Sequence, residues 1–412
     1  MRGRRLAAIL TVVCALWIAS THATINTDTN WWVMVGGNNA DGCGYRAGLT
    51  GGVNKANTPS PALSGANGST NGTTSFSVTS GAPFTDNSWR GNFIQIASDG
   101  WYEIQTVTNT TTVVVDRNTA NGGSGRTFRI GGACANLQPF STTSTLGAPS
   151  LTTPLAAGHV VNIEGTAGTT LQSLPTSPTY TGWGTGYTFP TGTNVEAGGL
   201  IKFLAYNGIV RLDIGNTFAQ VSGTIWQGFE WMSTATGDGW MMLVDQSFSP
   251  PLCSWVYDSV FDQNGYGAGG TNLCNIVSVG FLNSNSGSVS TALSAPAVKG
   301  TASEPQGTAY GRIMGSTFKG WKTDNTHGTV DHPNFLTIEF NIFDSNTAQA
   351  CVSTITAAGN SSLLWNSFRN CSGDAILTYH CCPPVEFSYL IRNNVTVGSG
   401  GIGLNFSNSD TT

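Results

Sequence analysis

Apolar and polar residues recur in one phrase through the second half of the chain. It consists of two or three apolar residues, a small polar residue, any residue, and then Phe. Copies end at Phe229 (IWQGF), Phe261 (VYDSVF), Phe281 (IVSVGF), Phe318 (RIMGSTF), Phe343 (IEFNIF) and Phe368 (LLWNSF), and at Val395 (IRNNV) with Val in place of Phe. Successive copies lie 32, 20, 37, 25, 25 and 27 residues apart. A drifting period near 25 residues is too short for a domain and too long for a hairpin; it fits one rung of a solenoid.

The rungs predict their own interior. Each anchor is expected to point inward and stack on its equivalents, with strands of successive rungs pairing in parallel at ~4.8 Å. Two positions before the anchor stand Asn341, Asn366 and Asn393, with Ser259 and Ser316 in earlier copies. Stacked Asn side chains can bond one another and tolerate the backbone angles of a sharp corner. A second apolar strand recurs after five of the seven anchors, at 240–244 (WMMLV), 326–330 (THGTV), 349–352 (QACV), 375–378 (AILT) and 401–404 (GIGL).

The first half reads differently. Residues 24–135 form an N-terminal β-rich unit. Gly, Asn, Thr and Ser give loop composition to about residue 90. Alternation then predicts a meander of three strands at 92–97 (NFIQIA), 101–107 (WYEIQTV) and 111–116 (TTVVVD), part of a small sheet or barrel. It carries no catalytic signal, so a structural or attachment role is expected. Residues 136–150 read as a linker and 151–412 as the solenoid. Within the solenoid, strands are expected at 157–164, 200–205 and 210–214, with a long excursion at 165–193 that holds Trp183 and Tyr187. The chain stops at Thr412 without a distinct polar cap, so the natural chain is expected to continue or a partner to cover the end.

The phrases AGHVVNIEG (157–165), FLAYNG (203–208), IEFNIFDSN (338–346) and LLWNSFRNCSGDAI (363–376) resemble rungs of the right-handed parallel β-helix, pectate-lyase-like superfamily. The resemblance spans roughly three fifths of the chain, residues 157–406. It implies an all-β fold, a right-handed parallel β-helix after the N-terminal meander domain. It says little about function, because that fold hosts lyases, hydrolases, adhesins and phage spikes.

Composition adds an address. Arg2, Arg4 and Arg5 precede an apolar run at 6–19 and a small residue at Ala23, the pattern of a signal peptide over residues 1–23. The run is too short to span a bilayer comfortably. A secreted or cell-surface protein with no membrane segment after cleavage is therefore expected. Loss of the three Arg takes the formal net charge from −5 to −8. Such a chain offers no phosphate-binding stripe, which excludes nucleic acid as an expected partner. Eight Cys remain after cleavage, an even number that favours disulfides in an exported chain. Cys43 and Cys134 bracket the N-terminal unit and can staple it, and Cys253 and Cys274 suit a rung-to-rung bridge. Cys351, Cys371, Cys381 and Cys382 allow several pairings.

Charged residues are only 9% of the chain, so a cluster stands out: Lys319, Lys322, Asp324, His327, Asp331 and His332. The resemblance implies lyases that use a Lys or Arg base with Ca²⁺, and hydrolases that use paired Asp. On that basis Lys322, His327 and Asp331 are the candidate catalytic groups, and Asp324 and Asp331 the candidate Ca²⁺ ligands. His332, Asp374 and His380 are candidate substrate contacts, and Trp183 and Tyr187 can stack on sugar rings or plug the end of the coil. No family catalytic motif maps residue by residue onto the chain. Two readings follow. The first is an exported β-helix that presents an elongated surface to a polysaccharide or cell-surface glycan, without turnover and without a cofactor. The second is a polysaccharide lyase, with Ca²⁺, or a glycoside hydrolase acting near residues 322–332.

Overall fold

The computed structural model describes residues 29–141, 155–166, 187–189, 199–214, 219–221, 223–233, 240–244, 254–263, 269–271, 275–282, 293–294, 311–323, 328–331, 336–348, 350–353, 361–380 and 390–408. Their regular structure is almost entirely β-strand, with two short 3-10 helices.

Period-2 alternation with small residues at the corners lets the chain wind as a three-sided parallel coil. Consecutive strands step from the first sheet to the second and then to the third, and each pairs with its counterpart one turn away. The first sheet has eleven strands, from the antiparallel Gly44–Arg46 and Thr29–Val33 through Val160–Glu164 to Leu390–Arg392. The second has eight: Val210–Ile214, Phe229–Ser233, Val260–Asp262, Gly280–Leu282, Thr317–Lys319, Ile342–Asp344, Ser367–Arg369 and Val395–Val397. The third has nine, from Tyr187–Thr188 to Leu404–Asn408. Four of the five expected second apolar strands overlap strands of this third sheet; of 401–404 only Leu404 does, because that strand starts there and runs to Asn408.

Register brings the inward side chains of the second sheet into one column. Trp231, Phe261, Phe281, Phe318, Phe343 and Phe368 occupy equivalent positions. Their rings stack with centroids 4.7, 5.2, 4.6, 4.5 and 4.9 Å apart, and all six are fully buried. Two expected anchors sit elsewhere. Phe229 pairs with Val210, so Trp231 takes the column position of that rung, while Phe229 packs on it at 5.3 Å. Phe368 pairs with Thr396, and Val395 faces outward, 58% exposed. Correspondingly Asn394, not Asn393, continues the inward Asn row, while Asn393 turns the corner with φ +57°.

The corners explain why the coil is sharp. Between the first and second sheets each rung places one residue in the left-handed backbone region: Asn207, Gly228, Asp258, Ser278, Gly315, Phe340, Trp365 and Asn393. Its N–H donates to a carbonyl of the next rung, as from Phe340 to Leu364 (3.2 Å) and from Trp365 to Arg392 (3.1 Å). A second left-handed row, Gly320, Ser345, Asn370 and Gly398, turns the chain from the second sheet to the third.

The N-terminal unit contains a closed six-stranded antiparallel barrel, in the order Leu63–Asn71, Ser75–Val78, Thr112–Val115, Gly100–Asn109, Phe93–Ile96 and Gly122–Ile130. The expected meander is there, with Ile94 opposite Tyr102 and Val107 opposite Val113. The barrel also recruits 63–71 and 75–78 from the stretch read as loop. Leu63–Asn71 pairs with Gly122–Ile130, which also contains several Gly, and closure leaves no unpaired edge, so pairing outweighs weak strand propensity. Thr29–Val33 meanwhile pairs in parallel with Val160–Glu164, so this early segment is a strand of the coil's first sheet. The Cys43–Cys134 disulfide forms beside it. Cys351 and Cys371 form a second bridge between adjacent rungs. Cys253, Cys274, Cys381 and Cys382 lie outside the described residues. No helix among the described residues is long and apolar enough to cross a membrane.

Candidate functional site

Strand parity decides what faces outward. On the second sheet Val210, Leu212 and Ile214 point inward and are buried, which sends Arg211 and Asp213 outward. In the same way Glu230 and Met232 face outward on the next strand, and Val260 and Asp262 on the third. Parallel stacking thus gathers Arg211, Asp213, Glu230 and Asp262 on one patch, although no two of the acids are neighbours in sequence.

The patch is electrostatically strained. Glu230 has no exposed surface, and neither of its oxygens accepts a hydrogen bond. Arg211 Nε lies 3.1 Å from Glu230 Oε2, and Arg211 Nη2 lies 2.7 Å from Met232 Sδ. Burial raises the Glu230 carboxyl to about 7; Arg211 opposes the shift, and Asp262 and Asp213 reinforce it. Asp213 is also raised, by its own burial, against the pull of Arg211. A carboxyl that holds its proton near neutrality beside two further carboxylates can donate a proton while a neighbour stays charged.

Lys322 connects to this patch through its backbone. The Gln263 side chain accepts from Lys322 N–H (3.1 Å) and donates to Lys322 C=O (3.0 Å), a two-pronged clamp directly after Asp262. Lys322 also bridges Thr347 in the next rung. Asp374 places Oδ1 on Ile402 N–H (2.6 Å) and Oδ2 on the Asn405 amide (2.8 Å), so both oxygens hold the neighbouring rung. Asp331, Tyr187 and His380 lie on third-sheet strands. Asp324, His327, His332 and Trp183 lie outside the described residues. Among the described residues no three His, Cys, Asp or Glu side chains gather as a metal site would require.

A second feature sits at the corner between the first and second sheets. Phe340 and Trp365 occupy the left-handed position on successive rungs, with φ +56° and +57°. Both are more than half exposed, at 55% and 56%. Their rings are parallel to within 11° with centroids 6.4 Å apart, a separation that leaves each ring face largely uncovered by the other. The rungs before them use Gly315, Ser278, Asp258 and Gly228 at this position. A bulky side chain there costs roughly 1–2 kcal/mol, and exposure returns little of it. Strain held at an exposed position points to use.

No protein-family model matches the chain, and no curated protein matches it. Among solved structures, the catalytic domain of a GH87 alpha-1,3-glucanase variant in complex with tetrasaccharides aligns over 85% of this chain and 90% of that one, with 8% identity and a TM-score of 0.24. At that score the alignment carries no weight; the fold rests on strand pairing and the candidate sites on their side chains.

Proposed function

We propose that this is an exported, right-handed, pectate-lyase-like β-helix that binds a polysaccharide or cell-surface glycan along its flank without turning it over. The handedness follows the general rule for parallel crossovers. Export is supported by the N-terminal leader pattern and by two disulfides, which persist in oxidising compartments. The observation that carries the binding reading is the exposed ring pair Phe340 and Trp365 at strained corners. Aromatic faces stack on the apolar faces of sugar rings. The test is retention on a panel of immobilised polysaccharides for the parent and for Trp365→Gly. Binding to at least one glycan, lost in the variant and unaccompanied by product release, is expected. Failure to bind any glycan, or retention unchanged in Trp365→Gly, would sink it.

One observation favours a second reading, glycoside hydrolysis. Glu230, raised to about 7, is suited to protonate a leaving oxygen, with Asp213 or Asp262 as the second carboxyl of the pair. Its complete burial weighs against this, since a general acid must touch its substrate. Release of reducing ends that disappears in Glu230→Gln would establish hydrolysis. The lyase version uses Lys322 or His327 as base with Ca²⁺ on Asp324 and Asp331. It calls for release of unsaturated products that a chelator stops.

A further inference from the structure

The ring pair lies among cations. On the second sheet the outward column next to the corner reads Thr317, Ile342, Ser367, Val395, and the outward column beyond it, at the edge that turns to the third sheet, reads Lys319, Asp344, Arg369. On the first sheet the column beside the ring pair reads Met314, Glu339, Leu364, Arg392. Arg312 pairs with Glu339, so these two cancel. Asp344 is half-buried and accepts from the Ser345 hydroxyl at 2.9 Å and the Asn370 amide at 3.4 Å. Lys319, Arg369 and Arg392 are exposed, and among the described residues none of the three is in an ion pair. Arg392 at the corner, with Lys319 and Arg369 across the width of the second-sheet strands, against one occupied carboxylate, makes this flank locally positive on a chain whose net charge is −5.

Distance suits joint use. Arg392 C=O accepts the Trp365 N–H at 3.1 Å, so the Arg392 backbone touches the ring-bearing corner. Arg369 lies four residues beyond Trp365 along its rung, on the order of 13 Å by strand rise. A polymer stacked on the rings would pass between a cation on each side.

We infer that the polymer bound at this corner is an anionic polysaccharide, its carboxylate or sulfate groups met by Arg369 and Arg392 while sugar faces rest on Phe340 and Trp365. This rests on the glycan-binding reading above and names its ligand class. Arg suits the role because its planar guanidinium matches the oxygens of such anions. A single-stranded nucleic acid also offers rings and negative charge. It is disfavoured because two rings and three cations on an acidic chain make no continuous phosphate track.

The experiment measures affinity of the full chain, by calorimetry or glycan biosensor, for alginate, its neutral glycol ester, dextran sulfate, dextran and single-stranded DNA. Alginate or dextran sulfate is expected to bind at least about tenfold more tightly than its neutral counterpart, and which of them binds better separates carboxylate from sulfate recognition. Arg369→Gln and Arg392→Gln should each weaken the charged polymer and leave the neutral one unchanged, with unaltered melting temperatures. Added salt should weaken the parent and shift the double variant little. Equal, Trp365-dependent binding of charged and neutral polymers would overturn the anion inference and leave the glycan reading standing. Absence of binding to every polysaccharide would overturn both, and preferential binding of the DNA would overturn both in favour of nucleic acid.

Discussion

The side-chain amide of Asn341 donates to Oδ1 of Asn366 at 3.0 Å, one full turn of the coil away. Asn366 repeats the act toward Asn394 at 2.9 Å. Each of these Oδ1 atoms also accepts the backbone N–H of the rung below, and each donor amide also reaches a backbone carbonyl, from Asn341 to Ile313 and from Asn366 to Ile338. The row satisfies corner groups that the sheets leave over, inside a core where unpaired groups are costly.

Asn366→Ala should therefore be far worse than a side-chain truncation. It takes away the partners of the Asn341 backbone N–H, of one of the two Asn341 amide hydrogens and of the Ile338 carbonyl at once. A loss of about 3 kcal/mol is expected, read as a lower urea midpoint. Asn393→Ala, one residue from the row in the next rung, should cost much less, because Asn393 is exposed and needs only its left-handed backbone. Equal losses at the two positions would refute the ladder account.

Glu230 predicts a pH dependence of stability. Its folded value of about 7 lies above its ordinary value of 4.5. Below about 4 both folded and unfolded chains carry the proton. Between about 4.5 and 7 only the folded chain keeps it, so folding takes up a proton and stability falls as pH rises. Above about 7 the loss is complete, at about 3 kcal/mol. Glu230→Gln should flatten this slope and leave the variant more stable than the parent at pH 8. Unfolding curves measured from pH 4 to 8 check it; an unchanged slope in the variant would assign the titration to other groups.

How much of this could be read from the chain differs by residue. The aromatic column and the Asn row were legible because burial forces one residue type to recur at one place in each rung. The slips came where two residues compete for one place. Asn393 and Asn394 are identical and adjacent, and only the backbone shows which turns the corner. Phe229 and Trp231 are both aromatic with the same parity. The strands at 63–71 and 122–130 were hidden because Gly and Ser promise little alone, and each is held by the other. Arg211, Asp213, Glu230 and Asp262 escaped notice because they lie on three different rungs. The usable signal was charge at alternate positions of VRLDI and its echo in FEWM. Phe340 and Trp365 count among the apolar residues of the repeated phrase. Their place immediately before a ladder Asn marks them as corner residues.

The two disulfides should differ in worth. Cys43–Cys134 closes a separation of 91 residues and Cys351–Cys371 one of 20. Loop-closure entropy then makes the first worth about 4–5 kcal/mol and the second about 3. Paired Ser replacements should rank in that order by urea midpoint under non-reducing conditions. The first pair should also expose Trp31, which packs in the same core cluster as Cys43 and Cys134, as a red shift in tryptophan emission before the coil unfolds. The reverse ranking would mean that rung-to-rung stacking depends on the short bridge more than loop length implies.

The corner aromatics predict opposite signs for stability and binding. Gly315 shows that the position tolerates Gly at φ +61° with open space around it. Trp365→Gly removes a bulky residue from the left-handed region, relieving roughly 1–2 kcal/mol, against which stand the lost ring contact and the added freedom of Gly in the unfolded chain. The net effect should lie between no change and a gain of about 1 kcal/mol. Phe340→Gly should behave alike. If the rings serve the fold, both variants will melt earlier and glycan affinity will fall only in step with unfolding. If they serve recognition, melting temperature will hold or rise while affinity drops about tenfold or more. Thermal denaturation and glycan affinity measured on the same protein preparations separate the two, because only a surface kept for a ligand lets stability and binding move apart.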